Sequence, residues 1–281
     1  MTRWLRVRWR LDRGLAVLLA VVTAPVAAGL WLTVRLVDGP PAVVRLPRVG
    51  RGGDEFAMAK FRSMTVQAAS GQAGGAALTM GGDPRVTNLG RRLRHYRLDE
   101  LPQLANVVRG EMALLGPRPE TPVYVDLDDP RWQAVVAALP GIAGPTQVLI
   151  HDFEAGLAIT DLKRYEAEMV PVKLAIDQWY LGHASPGVDL LVLLALVERF
   201  VLRRSTTLLH RRLEREIPAV ETLLRLHLHD ADDVATEDEP ADGEAASGSR
   251  HRLPPAPRLG GRRWRGGRGR AEPSPVTSPP S

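Results

Sequence analysis

The first long apolar run in the chain covers residues 14–34, GLAVLLAVVTAPVAAGLWLTV, twenty-one positions without a charge. As a helix, this run is long enough to cross the hydrocarbon of a bilayer. Pro25 falls near its middle, where it removes a backbone hydrogen bond and favours a kink. Arginines flank it on both sides: Arg3, Arg6, Arg8, Arg10 and Arg13 before, Arg35, Arg45, Arg48 and Arg51 after. Basic residues favour the cytosolic face. Two arrangements are open on this pattern. A plain span sends one basic cluster to the opposite face, whereas a re-entrant helix bent at Pro25 returns both clusters to one leaflet and its anionic lipids. A cleavable signal peptide is a third reading. The length of the run, which continues into Arg35 without a small-residue cleavage site, argues against it.

Past the apolar run the pattern shortens. Val43 to Lys60 reads as extended segments joined by a turn at Gly50–Gly53, and the Gly-, Ala- and Ser-rich residues 65–82 read as a loop. Leu98 to Val108 predicts a short helix stopped by Gly110, and further helices are expected over 131–139 and 160–180. Pro186 opens another helix, to about Leu202, with Asp189 in its first turn. Its run LLVLLALV is apolar nearly all round and short for a span, so it is either buried or interfacial. Residues 203–228 are amphipathic and basic, which suits a membrane surface or a partner helix. From 229 the apolar content collapses, and 229–281 are expected to be disordered. The expected class is α+β, mostly helical, with four regions: 1–39 with the membrane helix, a folded body at 40–202, a helical extension at 203–228 and the tail.

Composition adds two constraints. There is no cysteine, hence no disulfide framework and no thiolate metal site. The net charge of +5 conceals blocks of one sign, acidic from Asp230 to Glu244 and basic from Arg250 to Arg270, as expected of a solvated tail.

Candidate chemistry concentrates in residues 83–119, DPRVTNLGRRLRHYRLDELPQLANVVRGEMALLGPRP. Asp99 and Glu100 lie just before Pro102, a residue favoured in the first turn of a helix. Free backbone N–H groups and the helix dipole stabilise anions there. Adjacent helical side chains diverge by roughly 100°. The two carboxylates are therefore not expected to grip one atom, and a division of labour follows: one attacks phosphorus, the other holds a divalent cation. Magnesium suits the second role, since it takes one or two protein carboxylates and completes its shell with water and phosphate. Standing alone, such a pair is more often a helix cap beside a surface charge. In Gly116-Pro117-Arg118-Pro119, two prolines fix the backbone around a guanidinium suited to phosphate oxygens. Lys60 and Arg62 in KFRSM form a second cationic cluster, and Arg94 precedes Asp99 by five residues. The scattered His95, His151 and His183 have no metal-ligand spacing, and no P-loop or Ser/His/Asp arrangement stands out.

In combination, these features resemble the bacterial sugar transferase family: monotopic phosphoglycosyl transferases, or polyprenyl-phosphate sugar-1-phosphate transferases. The resemblance rests on the Pro-centred apolar helix, PRVG at 47–50, KFRSM at 60–64, DPRVTNLG at 83–90, LDELPQLANVVRGEM at 98–112, GPRPE at 116–120, PGIAGPTQV at 140–148 and IDQWYLGHASPGVDLLVLL at 176–194. It implies a re-entrant helix, a catalytic domain on the cytoplasmic face of the inner membrane, a UDP-sugar donor and a polyprenyl (undecaprenyl) phosphate acceptor. It implies Asp99 as the nucleophile that takes the phosphosugar with loss of UMP, and Glu100 as the Mg²⁺ ligand. Lys60, Arg62, Arg94 and Arg118 are implied as phosphate-binding cations, and the product as the start of a surface or exported glycan. Further partners would be membrane lipid, a second copy of the chain or glycosyltransferases; no motif supports nucleic acid. Several positions depart from the family pattern: Leu46 for a common Gln, Arg97 for a small residue, Ala24 for Ser, and Ala143 and Pro145 in the Gly-rich segment. They motivate a second hypothesis, a non-catalytic membrane scaffold of the same fold that binds lipid phosphate or a partner enzyme.

Overall fold

The computed structural model describes residues 2–66, 83–150, 167, 169–202, 207–218 and 220. The loop expected at 65–82, the first part of the 160–180 helix, His151 and the whole of 229–281 fall wholly or mainly outside these residues.

Helix α1, Arg3–Val37, is capped by the Thr2 hydroxyl, which accepts from the Leu5 amide at 3.4 Å, and it runs through Pro25 without a break in its assignment. It is about 50 Å long. One stripe, Leu5, Arg8, Trp9, Asp12, Ala16 and Val34, is buried, with Leu19, Ala20, Ala27 and Leu30 half-buried along the same side. That stripe rests on the body at its beginning, where Leu5 and Trp9 meet Ala113, Ala138 and Ala184. It does so again in the middle, where Ala16 meets Met58, Leu104, Val107 and Met112, and at the end, where Val34 meets Ala42, Phe61 and Leu93. The other side exposes Val7, Leu11, Leu15, Leu18, Val21, Val22, Val26, Leu32 and Leu36. Apolar side chains on both sides of a helix, one set buried and one bare, call for two different apolar neighbours.

The first turns of α1 are fixed by polar contacts. Arg8, 5% exposed, donates from Nη1 to both carboxylate oxygens of Asp189 at 2.9 Å and to the Tyr180 hydroxyl, and from Nη2 to the Leu115 carbonyl. Trp4 Nε1 and the Tyr180 hydroxyl each donate to Asp189 at 2.7 Å, and the Leu114 amide donates to Asp12 at 3.1 Å. One of the five flanking arginines is therefore a core residue.

Strands β1 (Val43–Val49) and β2 (Glu55–Phe61) form an antiparallel hairpin with Val43 opposite Phe61 and Val49 opposite Glu55. The turn lies where Gly50–Gly53 predicts it; Gly52 and Gly53 take φ of 82° and 90°, a region glycine enters without strain. Helix α2 (Asn88–His95) follows, capped by Thr87. The helix expected over 98–108 is instead two pieces, a 3-10 turn at Leu98–Gln103 and α3 at Leu104–Arg109, ended by Gly110 at φ 80°. Pro102 has no N–H to donate, and the tighter turn bonds the Glu100 amide to the Arg97 carbonyl. Strand β3 (Ala113–Leu115) pairs parallel with β4 (Gly141–Ala143) across α4 (Pro130–Val136), and α5 (Pro145–Leu149) continues from β4. Helices α6 (Val170–His183) and α7 (Pro186–Leu196, running into a five-residue π turn at Val197–Val201) build the largest core cluster. Within the proposed 203–228 extension, α8 (Leu208–Glu216) turns Leu209 and Leu213 into this same core, so its apolar face is covered by the body. The mostly helical α+β expectation agrees with these elements.

Among the closest backbone approaches that require glycine are three: a Cβ on Gly141 would lie 2.1 Å from the Gly116 nitrogen, one on Gly144 2.1 Å from the Gly116 carbonyl oxygen, and one on Gly90 2.0 Å from the Ser63 carbonyl oxygen. Gly182, in α6, has nothing within 4 Å of its Cβ position. Gly90→Ala is expected to lower the thermal unfolding midpoint by the equivalent of about 1–3 kcal/mol. Gly182→Ala should leave it unchanged or raise it by up to about 1 kcal/mol. Unfolding of both variants in the same detergent checks the pair.

Candidate active site

The 3-10 turn at Leu98–Gln103 presses against β2, and this contact buries Asp99 to 2% and Glu100 to 7% exposure. A buried carboxylate needs a nearby positive charge or it neutralises. Lys60, near the end of β2, supplies one: its Nζ lies 3.0 Å from Asp99 Oδ2 and 3.4 Å from Glu100 Oε1. A single ammonium thus touches both acids. The divergence expected of adjacent side chains is bridged because a long lysine stem from the neighbouring strand reaches between them.

Arg118 Nη1 donates to Glu100 Oε1 at 3.3 Å, and Arg97 Nη1 lies 3.6 Å from the same oxygen. Burial on its own would push the Glu100 carboxyl up. The charges of Arg118, Lys60 and Arg97, in that order, overcome it and hold the pKa at about 2. All three cations approach through Oε1. Among the described residues no three acids or histidines cluster as a metal cage. The donor set that does exist, two adjacent hard carboxylates beside a group of cations, is of the kind magnesium takes, since magnesium leaves most of its shell to water and phosphate.

Arg94 Nε donates to Ser63 Oγ at 2.8 Å. Its burial lowers its hold on the proton, and the nearby charges of Asp99 and Asp83 oppose this. Lys60, Arg94 and Arg118 therefore all lie within electrostatic reach of the acid pair. Arg62 is placed differently. It is 1% exposed and donates from Nη2 to the carbonyls of Asp38 and Gly39, just past the end of α1, where a cation satisfies orphaned helix carbonyls. Its Nε and Nη1 have no hydrogen-bond partner among the described residues.

Three supports were not singled out as site residues from the sequence. Asn106, fully buried in α3, accepts from the Ala59 amide at 3.0 Å and donates to the Ala57 carbonyl at 2.9 Å and to Glu111 at 2.7 Å. It thereby pins β2 one residue before Lys60. Arg97, identified from sequence only as a departure from the family pattern, takes φ 56°, a left-handed conformation that costs a side-chain-bearing residue about 1 kcal/mol or more. Beside the Arg118 loop, Glu120 pairs with Lys173; burial would raise the Glu120 carboxyl, but the Lys173 charge and hydrogen bond bring it below the ordinary range. No spacing rule flags Asn106 or Glu120, because their partners on β2 and at Lys173 are distant in sequence, whereas Arg97 lies only three residues from Glu100.

The bacterial sugar transferase family model matches residues 4–203. The chain belongs to the bacterial sugar transferase family. Within the family it is 34% identical over 189 residues to a UDP-N-acetylgalactosamine-undecaprenyl-phosphate N-acetylgalactosaminephosphotransferase of Aeromonas hydrophila, a match covering 65% of this chain and 41% of the relative. It is 35% identical to a UDP-glucose:undecaprenyl-phosphate glucose-1-phosphate transferase of Caulobacter vibrioides, covering 66% and 67%. It is 42% identical to an undecaprenyl-phosphate glucose phosphotransferase of Komagataeibacter xylinus, covering 69% and 36%. The chain thus spans well under half the length of two of these sugar transferases and about two thirds of the third. The match takes in the first turns of α1, including Arg8.

The Thr146 hydroxyl in α5 donates to Asp177 in α6 at 2.5 Å. Burial pushes this carboxyl up from 3.8 to about 7, against the Thr146 hydrogen bond and the Lys173 charge. The folded state therefore prefers the neutral acid. The stability this adds is complete below pH 3.8 and is lost as pH rises through about 7. Asp177→Asn, which keeps an acceptor for Thr146, is expected to lose less stability than the unmodified protein between pH 6 and pH 8; thermal midpoints across that range check it.

Proposed function

We propose that this chain transfers a sugar-1-phosphate from a UDP-sugar to a polyprenyl phosphate such as undecaprenyl phosphate, through a covalent intermediate on Asp99. The observation that carries the proposal is the buried Asp99–Glu100 pair bridged by Lys60, with Arg118 on Glu100. Such a buried pair is costly as a helix cap and useful as a nucleophile and cation ligand beside a phosphate-binding field. The undecaprenyl-phosphate substrates in the names of all three relatives support the same reaction class.

In the first step Asp99 attacks the donor phosphorus that bears the sugar. An oxygen–phosphorus bond to the carboxylate forms, the bond to the bridging oxygen of the diphosphate breaks, and UMP leaves with that oxygen. In the second step an oxygen of the polyprenyl phosphate attacks the same phosphorus, which frees the Asp99 carboxylate and yields polyprenyl diphosphate sugar. Lys60, Arg94 and Arg118 neutralise the phosphate oxygens, without which a carboxylate would be repelled from its target. Lys60, touching both acids, passes its charge to the incoming diphosphate. Asn106 fixes the strand that aims it. Glu100 would hold a magnesium ion, whose contribution when bound is further neutralisation of the diphosphate.

The same proposal places the bare apolar side of α1 in the inner membrane with the active site on the cytoplasmic face. Contact of α1 with the body at Leu5, Ala16 and Val34 supports a helix that enters and leaves by one leaflet, since a plain span would carry one end away from the body. The product would initiate a surface or exported glycan.

Asp99→Asn is expected to lower UMP release from UDP-sugars by ~10³-fold or more, with membrane association unchanged. Radiometric or coupled UMP assays on both proteins, over a panel of UDP-sugars with undecaprenyl phosphate and Mg²⁺, check it. Turnover that survives the substitution rejects Asp99 as nucleophile, whereas no UMP release by the unmodified protein from any donor in the panel favours the scaffold hypothesis.

A further inference from the structure

Arg97 is the residue at which this chain departs from its family beside the reacting acids, and it is the non-glycine residue with positive φ among those described. Its guanidinium stands between two different environments. On one side Nη1 lies 3.6 Å from Glu100 Oε1. On the other the guanidinium carbon sits 4.3 Å from the centre of the Phe200 ring, within range of a cation–π contact. Phe200 belongs to the π turn that ends α7, and this end of the molecule is apolar on the outside: Leu193, Leu194, Val197, Val201 and Leu202 are all exposed. Arg97 is thus the cation that joins the acid pair to an apolar edge.

We infer that Arg97 receives the phosphate headgroup of the lipid acceptor. The inference rests on the sugar-phosphate transfer proposed above and identifies which substrate this cation serves. The two substrates differ in chemistry. A nucleotide-sugar is polar throughout and gains nothing from an apolar edge. A polyprenyl phosphate is an anion attached to a long hydrocarbon, and its head must reach Asp99 while its tail stays out of water. A guanidinium held over an aromatic ring at the apolar rim, with its edge turned to the acids, meets both requirements. In the resting arrangement Glu100 and the Phe200 ring share its charge. An arriving phosphate offers two oxygens to the planar fork, a stronger partner than one carboxylate oxygen at 3.6 Å. Arg97, in its left-handed conformation, immediately precedes the 3-10 turn that carries Asp99, and its guanidinium lies 3.6 Å from Glu100 in that turn, so a head held there sits beside the nucleophile.

The test compares the unmodified protein, Arg97→Gly, Arg97→Lys and Phe200→Leu in lipid nanodiscs. Glycine relieves the positive φ, so the first variant keeps the fold. Equilibrium binding of undecaprenyl phosphate, read by native mass spectrometry, is expected to weaken about tenfold in Arg97→Gly. The loss should be smaller in Arg97→Lys, which keeps the charge without the fork, and in Phe200→Leu, which keeps an apolar edge without the ring. Binding of undecaprenol, which has no phosphate, should be the same in all four. In turnover, the Arg97→Gly change should appear in the acceptor KM much more than in the donor KM. Undecaprenyl phosphate binding unaffected by Arg97→Gly overturns the inference, as does a donor KM that rises as much as the acceptor KM. UMP release by the unmodified protein is judged separately: if it is absent while Arg97-dependent lipid binding persists, the transferase proposal fails and the acceptor site stands.

Discussion

Burying two adjacent carboxylates is the constraint around which this molecule is organised. Asp99 and Glu100 lose almost all their water, and a buried carboxylate is costly unless a charge answers it. The fold brings cations to them from three separate segments: Lys60 from the hairpin, Arg118 from the loop between β3 and α4, and Arg97 from the entry to the turn itself. The glycines at 90 and 141, the buried Asn106 and the two prolines around Arg118 are explained by the need to bring those segments close and hold them there. Replacing the acids with apolar residues would remove the need for most of this apparatus, which is why a structural role for the pair accounts poorly for its surroundings.

The site was legible in the sequence where chemistry and local rigidity coincide. The Asp-Glu pair before a proline, the proline-clamped arginine and the Lys-Phe-Arg cluster stand out because their neighbours restrict the backbone. Convergence of Lys60 and Arg118 on Glu100 is a property of tertiary packing and has no local signature beyond the family motifs. Arg62 illustrates the converse. Its sequence context groups it with Lys60, and two residues apart on a continuing strand they would share a face, but β2 ends at Phe61 and Arg62 turns beneath the close of α1. Hairpin, turn glycines and most helices followed from periodicity and punctuation. The split at Pro102 did not, because a 3-10 turn and an α-helix share the same apolar spacing over so short a stretch.

The basic N-terminal flank shows how a composition rule loses information when residues are counted alike. Five arginines before an apolar run read as a cytosolic anchor. Arg8 instead sits in a buried polar cluster with Asp189, Tyr180 and Trp4, while Arg3, Arg6, Arg10 and Arg13 remain exposed. A period of about three to four residues separates the buried from the bare positions, but a uniformly apolar or basic segment hides which side of the helix will be used.

The Arg8 and Asp12 contacts bear on the order in which the protein is built. Synthesis delivers α1 first, yet its partners on β3 and α7 arrive some hundred and more residues later, at Leu114, Leu115 and Asp189. Until then a guanidinium and a carboxylate destined for the interior have no protein partner to answer them. A shortened form that begins after residue 37 would leave the Leu114 amide without its acceptor and the Asp189 carboxylate without its cation and the Trp4 donor. Helix α1 is thus an interior wall of the domain and cannot be treated as a removable tether.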